Sequence, residues 1–278
     1  MKVNRKRKLL SLLLVLFTIT ACAPSGSGSN QQPTNTIELT SQPGVTETAS
    51  AQSTLTETPS TSVTGLCSNL YYPVREGATW TYKNTGGPAG EFGFTDTVTS
   101  VREDGFTLTS QLNDLSWTQE WACQQEGLVA LQLGGAPAVT LAAQGIQLNL
   151  EISNVSGVTF PKEIMAVNQW QHNLEFDGIV EMAGQSGEAQ GDAVTRFTAI
   201  GNETVTVPAG TFEAMKIQVE PTLDISVGYG GFSLPVTVGG TYTYWFVQNI
   251  GWVKAAGTGR FAGQSMSETI ELQSFHIP

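Results

Sequence analysis

The sequence predicts a mainly β domain, an antiparallel sheet with little helix, carried behind a disordered linker. Three observations point there. From Cys67 to Pro278, runs of residues alternate between apolar and polar. Turn formers separate those runs at hairpin spacing. No aromatic residue occurs between Ala23 and Leu66, whereas all six Trp and all six Tyr lie beyond Cys67. A period of two puts alternate side chains on opposite faces of a strand, and short returns join antiparallel neighbours.

Taken in order, the chain opens with MKVNRKRK, which holds five positive charges, and continues with LLSLLLVLFTIT, an apolar run short for a mature membrane span. That order is the charged region and apolar core of an export signal. Ile19, Thr20, Ala21 and Cys22 then resemble the lipobox of bacterial lipoproteins. The resemblance implies that the Cys22 thiol receives a diacylglyceryl group, that cleavage follows Ala21, and that the new amino terminus takes a further acyl chain such as palmitate. Two or more chains anchor stably where one does not, at about 0.8 kcal/mol per buried methylene. The expected boundaries are a signal over 1–21, a lipid-anchored linker over 22–66 and the β domain over 67–278. The expected address is the extracytoplasmic side of the cell envelope.

Cleavage removes five of the 13 basic residues and none of the 24 acidic ones, which leaves a mature charge of −16. Such an acidic chain argues against nucleic acid and against polybasic docking on anionic lipid. The linker, rich in Ser, Thr and Pro and without Lys or Arg from Ala23 to Leu66, buries too little apolar surface to offset the entropy of ordering it. As a flexible coil it spans roughly 35 to 40 Å, a spacer off the membrane.

Within the domain, EFGFTDTVTSV sets Phe92, Phe94 and Val98 against Thr95, Thr97 and Thr99. EAMKIQVE sets Met215, Ile217 and Val219 against Lys216, Gln218 and Glu220, and TYTYWFV sets Tyr242, Tyr244 and Phe246 against Thr241, Thr243 and Trp245. Turns are expected at Glu103–Gly105, Gln125–Gly127, Asp177–Gly178, Pro208–Gly210 and Asn249–Gly251. PKEIMAVNQW, Pro161 to Trp170, is the one stretch suited to a short helix. With Cys22 set aside, Cys67 and Cys123 are an even pair in an exported chain, and a disulfide between them is the default expectation.

YYPVREGATWTY, ETVTVPAGTFEAMKIQVE and YWFVQNIGWVK together resemble a group of poorly characterised bacterial envelope proteins of the half-barrel lipoprotein-carrier type. The resemblance implies a long curved sheet whose concave face holds acyl chains. On that reading Phe92, Phe94, Trp117, Tyr242, Tyr244 and Phe246 are the candidate ligand-lining residues, because each sits in an alternating strand. Trp80 and Trp245 are expected to fill the core.

Catalytic chemistry finds little support. The two histidines are His172 and His276; His172, in QWQHNLEF, reads as a strand histidine at a surface, with Glu175 and Asp177 on a solvated face. GQSGE around Ser186 lacks the spacing of a nucleophile elbow and reads as a loop. VGYGGFSLPVTVGG has no Lys or Ser/Thr at the phosphate-loop offset and reads as a flexible hairpin loop. A hydrolase using paired carboxylates is the residual enzymatic reading. No cofactor is expected, and no metal, since neither cysteine has a second ligand at useful spacing. Two functions remain: a membrane-anchored protein that binds a lipid-like or other apolar molecule, or a structural module contacting cell-wall polymer or protein partners. Cys22→Ser is expected to abolish membrane retention and leave folding intact, because the linker separates tether from core. Detergent partitioning checks this, and a variant that still fractionates with the membrane contradicts it.

Overall fold

The computed structural model describes residues 65–278 apart from 88, 183, 230, 262 and 263. The export signal, Cys22 and nearly all of the linker lie outside the described residues. Five strands come first: β1 (Thr79–Gly86), β2 (Phe92–Arg102), β3 (Gly105–Leu112), β4 (Leu115–Cys123) and β5 (Gly127–Ala130). A helix α1 (Gly135–Ala143) precedes β6 (Ile146–Gly157), the two-residue β7 (Phe160–Pro161) and the single turn α2 (Ile164–Val167). Then come β8 (Gln169–Met182), β9 (Gln185–Val207), β10 (Gly210–Tyr229), β11 (Phe232–Val247), β12 (Gly251–Phe261) and β13 (Gln264–His276).

All the strands form one curled, half-barrel-like antiparallel sheet in the order β6-β8-β9-β10-β11-β12-β13-β1-β2-β3-β4-β5-β7. The last strand therefore lies beside the first. Register slips set Thr99 in β2, Ser153 in β6, Ile200 in β9, Val253 in β12 and Gln273 in β13 as extra residues in their ladders. Bulges bend strands and raise their twist, which curls the sheet.

The curl brings the two margins of the sheet together, because β6 and β7 are separated in sequence by Val158 and Thr159 alone. Val158 N–H donates to the Gln171 carbonyl in β8 at 3.1 Å, and Thr159 N–H donates to the Leu128 carbonyl in β5 at 3.0 Å. Trp170 Nε1 donates to the Thr159 carbonyl at 3.1 Å. One short strap thus closes one end of the sheet. Glycines permit its approach on both sides: a Cβ at Gly157 (φ 78°) would lie 2.1 Å from the Gln171 carbonyl oxygen, and one at Gly127 (φ 148°) would lie 2.2 Å from that of Phe160.

Inside the closed end, Tyr82 stacks on Trp252 with centroids 3.8 Å apart and on Phe94 at 5.1 Å. Its hydroxyl donates to the Trp252 carbonyl at 3.0 Å. Trp80 is buried and donates through Nε1 to the Ile250 carbonyl at 2.5 Å. Trp245, expected in the core, instead sits half-buried on the outer face, with the ammonium groups of Lys216 and Lys254 5.7 and 5.9 Å from its ring centre. Its neighbours Tyr244 and Phe246 take the inner register, so alternation sends Trp245 outward. Cys67 and Cys123 form a disulfide across a separation of 56 residues. On the chain-entropy model such a loop contributes about 4 kcal/mol.

Four of the five expected turns join consecutive strands. Asp177–Gly178 does not turn: Gly178 pairs with Leu150 on one side and Ala189 on the other, in the middle of β8. The expected helix in Pro161–Trp170 shrinks to Ile164–Val167, because Pro161 belongs to β7 and Gln169 begins β8. Helix α1 was not expected from the sequence; it carries no side-chain cap at its start and is seated by the fully buried Val139. Gly157→Ala is expected to cost at least about 3 kcal/mol, combining positive φ with a backbone clash. Gly145→Ala, at φ 76° with open space around the Cβ position, should cost only about 1 to 2 kcal/mol. Urea melts that give the two variants equal losses contradict the tight closure.

Candidate functional site

Alternation along β2 buries Phe94, Asp96 and Val98 together, so a carboxylate points into the sheet's interior. Asp96 pairs across the ladder with Ser110 of β3, whose Oγ donates to its Oδ1 at 2.6 Å. Burial pushes the Asp96 carboxyl up to about 6, and the Ser110 hydrogen bond opposes that rise.

The same logic acts on β8, where Trp170, His172, Leu174 and Phe176 share the buried face. His172 is thus not a surface histidine; it is 6% exposed because its register faces the core. Glu175 and Asp177, on the other register, are exposed as expected. Burial holds the imidazole below the usual histidine range, with the Ala130 carbonyl opposing. His172 Nε2 is buried and has no hydrogen-bond partner.

Asp96 and His172 line one cavity of about 200 Å³. Tyr242, Tyr244 and Phe246 of β11 form part of its wall, and Thr159 and Phe160 of the closing strap form another part. From β4, Gln119 Nε2 donates to the Gln132 carbonyl at 2.8 Å and Gln119 Oε1 accepts from Trp121 Nε1 at 3.1 Å. Burial first, and then the nearby Asp96 or Glu268 charges, raise the phenols of Tyr72, Tyr242 and Tyr244 and keep them neutral.

Of the six residues expected to line a hollow, Tyr242, Tyr244 and Phe246 line this cavity. Trp117 lines a separate space of about 370 Å³ bounded by β4, α1 and β6. Phe94 lines neither: it is 2% exposed and packed on Tyr82, with Phe92 against it at 6.4 Å between ring centres. At β1 and β2 the aromatic rings themselves fill the interior, so those two phenylalanines are core.

A third space follows from the long strands. Along the inner face of β9 the residues are small, Gly187, Ala189, Gly191 and Ala193, while the facing positions on β10 are Val227, Ile225 and Leu223. Beside them run Leu148 of β6, Val180 of β8 and Leu234, Val236 and Val238 of β11. The result is an aliphatic trough of about 330 Å³, roofed in part by Leu141 of α1. Ser186 lies in β9 on its wall rather than in a loop, and most of VGYGGFSLPVTVGG is strand of β10 and β11 rather than loop. The trough meets the cavity on one face: Leu223 lines the first, and its ladder partner Ala193 lines the second. The sequence signal for the trough was present in the alternation of LNLEI, LDISV and LPVTV. The signal for Asp96 and His172 was a polar residue in an apolar register.

Among the described residues there is no group of three or more side chains placed to hold a metal ion. No helix among them is long and apolar enough to cross a membrane.

A family model described as DUF3108-like matches residues 120–260. No curated protein sequence matches. Three solved structures are similar in shape. One, from Bacteroides fragilis, is assigned as an exported protein with a YmcC-like fold; it is 13% identical, with 75% of this chain and all of that one covered and a TM-score of 0.45. Another, from Parabacteroides distasonis, is assigned as a lipoprotein; it is 15% identical, with 76% and 99% covered and a TM-score of 0.45. The third is the hypothetical lipoprotein YmcC of Escherichia coli, 9% identical, with 72% and 85% covered and a TM-score of 0.33.

A carboxyl whose pKa is raised on folding binds its proton more tightly in the native state, so its contribution is fully present below the unfolded value and lost as pH rises through the folded one. For Asp96 that window runs from 3.8 to about 6. His172, with a lowered pKa, acts in the opposite sense, so the comparison must isolate Asp96. Wild type minus Asp96→Asn stability, from urea melts, is expected to fall by about 3 kcal/mol across that window. A flat difference contradicts the buried, cation-free setting of this carboxyl.

Proposed function

We propose that this chain, which belongs to the DUF3108-like family, is an exported envelope lipoprotein that holds a lipid-like, apolar ligand in the trough of its sheet and performs no catalysis. The observation that carries the proposal is the trough itself. Aliphatic side chains from β6, β8, β10, β11 and α1 surround about 330 Å³ that no described side chain fills, inside the range of about 300 to 1,000 Å³ common for ligand sites. Gly187 of β9 lines it without a side chain to fill it. The rim is apolar as well, with Leu234 63% and Met182 52% exposed, a cost in water that a bound chain would remove.

Address follows from the other end of the chain. The lipobox-like ITAC supplies an anchor at Cys22, the linker supplies reach, and a disulfide suits an oxidising compartment. An envelope protein tethered in this way meets lipid at short range.

The test uses the full chain carrying Cys22→Ser, so that no anchor competes for the trough. A fluorescent fatty acid is expected to bind saturably. Val236→Glu, which puts a charge on a half-buried wall position, should weaken it at least about tenfold with the melting temperature little changed. No binding by the Cys22→Ser chain overturns the ligand reading in favour of a scaffold that contacts cell-wall polymer or protein.

A further inference from the structure

We propose that the interior cavity bounded by Asp96 and His172 is a binding site for a small organic ammonium ion carrying at least one N–H, of the alkylammonium class. This goes beyond the reading of the trough and stands on different residues.

Among the described residues, the wall of the cavity combines the Asp96 carboxylate with ring surfaces and contains no Lys or Arg. Asp96 is 4% exposed, and its one side-chain partner is the neutral Ser110 hydroxyl. His172 Nε2 is buried in the same wall and meets no hydrogen-bond partner. Gln119, the third buried polar side chain, has both ends occupied by Gln132 and Trp121. What the cavity lacks is a donor with positive charge. An anion would meet a desolvated carboxylate and find no cation. A neutral apolar molecule would fill the space, leave the Asp96 carboxylate without a counter-charge and leave His172 Nε2 without a partner, each costing free energy.

The rings complete the match. Tyr72, Trp121, Phe197, Tyr242, Tyr244 and Trp252 share the same lining, and aromatic faces attract a desolvated cation. An ammonium group offers its N–H donors to the Asp96 carboxylate and its alkyl part to the rings. The groups that face Asp96 from neighbouring elements are Ser110 of β3 and the phenols of Tyr72, Tyr82 and Tyr244. None of them is positive, so the ligand supplies the only counter-charge. Because Asp96 must be ionised to pair with it, affinity should rise with pH through about 6, with proton release on binding in that range.

The experiment is calorimetric titration of the full chain carrying Cys22→Ser with n-butylammonium, alongside n-butanol as the neutral isostere and tetramethylammonium as the cation without N–H. Fluorescence of Trp121 and Trp252 gives a second readout. Butylammonium is expected to bind saturably, at least about tenfold more tightly than either comparison compound. Asp96→Asn, nearly identical in shape, should remove that margin, and the affinity should fall as pH drops below about 6. The compound series and the pH series need no cavity variant, so a folding defect in Asp96→Asn leaves the test intact. Equal binding of butanol, or no saturable binding of butylammonium, overturns the proposal. Equal binding of tetramethylammonium overturns the requirement for N–H. The fatty-acid result is separable, because Asp96 and His172 line the cavity and not the trough, whereas Val236 lines the trough and not the cavity.

Discussion

Backbone hydrogen bonding by Val158 and Thr159 is the constraint on which the architecture depends. An open sheet presents unpaired N–H and C=O groups along both outer strands, a template for unwanted pairing. Here the two outer strands are successive in sequence, and the two residues between them bond one margin each, to Gln171 and to Leu128. Side chains cannot fit at the closest points, which is why Gly157 and Gly127 stand there. Once those bonds form, the curl of the sheet is set, and the position of every facing strand with it.

That closure divides the interior. At the closed end Tyr82, Phe94, Trp252 and their neighbours fill the space with stacked rings. Beyond it, β8 to β11 run on well past a typical strand length of about 5 to 6 residues, and a second apolar cluster built on Leu174, Phe176, Ala189, Ala193 and Ile225 covers their inner face. The cavity lies where the two clusters meet, as its lining by Phe246 from one and Leu174 from the other shows. Burying a carboxyl and an imidazole at that junction lowers stability relative to apolar residues of the same size. A protein that keeps them there gains something other than stability, and binding chemistry is what their incomplete hydrogen bonding can supply.

Much of this was legible in the chain because it is local. Strand faces follow from alternation, and the runs around Phe94, Ile217 and Tyr244 lie as that alternation requires. Four turns were marked by residues that disfavour strand. The fifth, Asp177–Gly178, has the same composition but lies inside a continuous ladder, since pairing with β6 and β9 outweighs the local preference. Helix α1 was hidden because GGAPAVTLAAQG has no amphipathic pattern and no capping side chain. His172 looked like a surface residue because one polar residue every second position is also what a solvated face shows; the apolar residues on either side, Trp170 and Leu174, were the sign of the opposite assignment.

By itself the sequence determined the β architecture, the register of apolar faces, most of the returns and the even pair of cysteines, because these depend on residues near one another in the chain. Tertiary structure alone decided which aromatic residues fill space and which surround it. Phe94 and Tyr244 carry the same alternating pattern, yet one is packed against Tyr82 and the other borders a cavity. An empty volume is the difference between the side chains of strands brought together from far apart, here β2, β8, β9 and β11. No single strand contains that difference, so it came into being only when Val158 and Thr159 drew the margins of the sheet together.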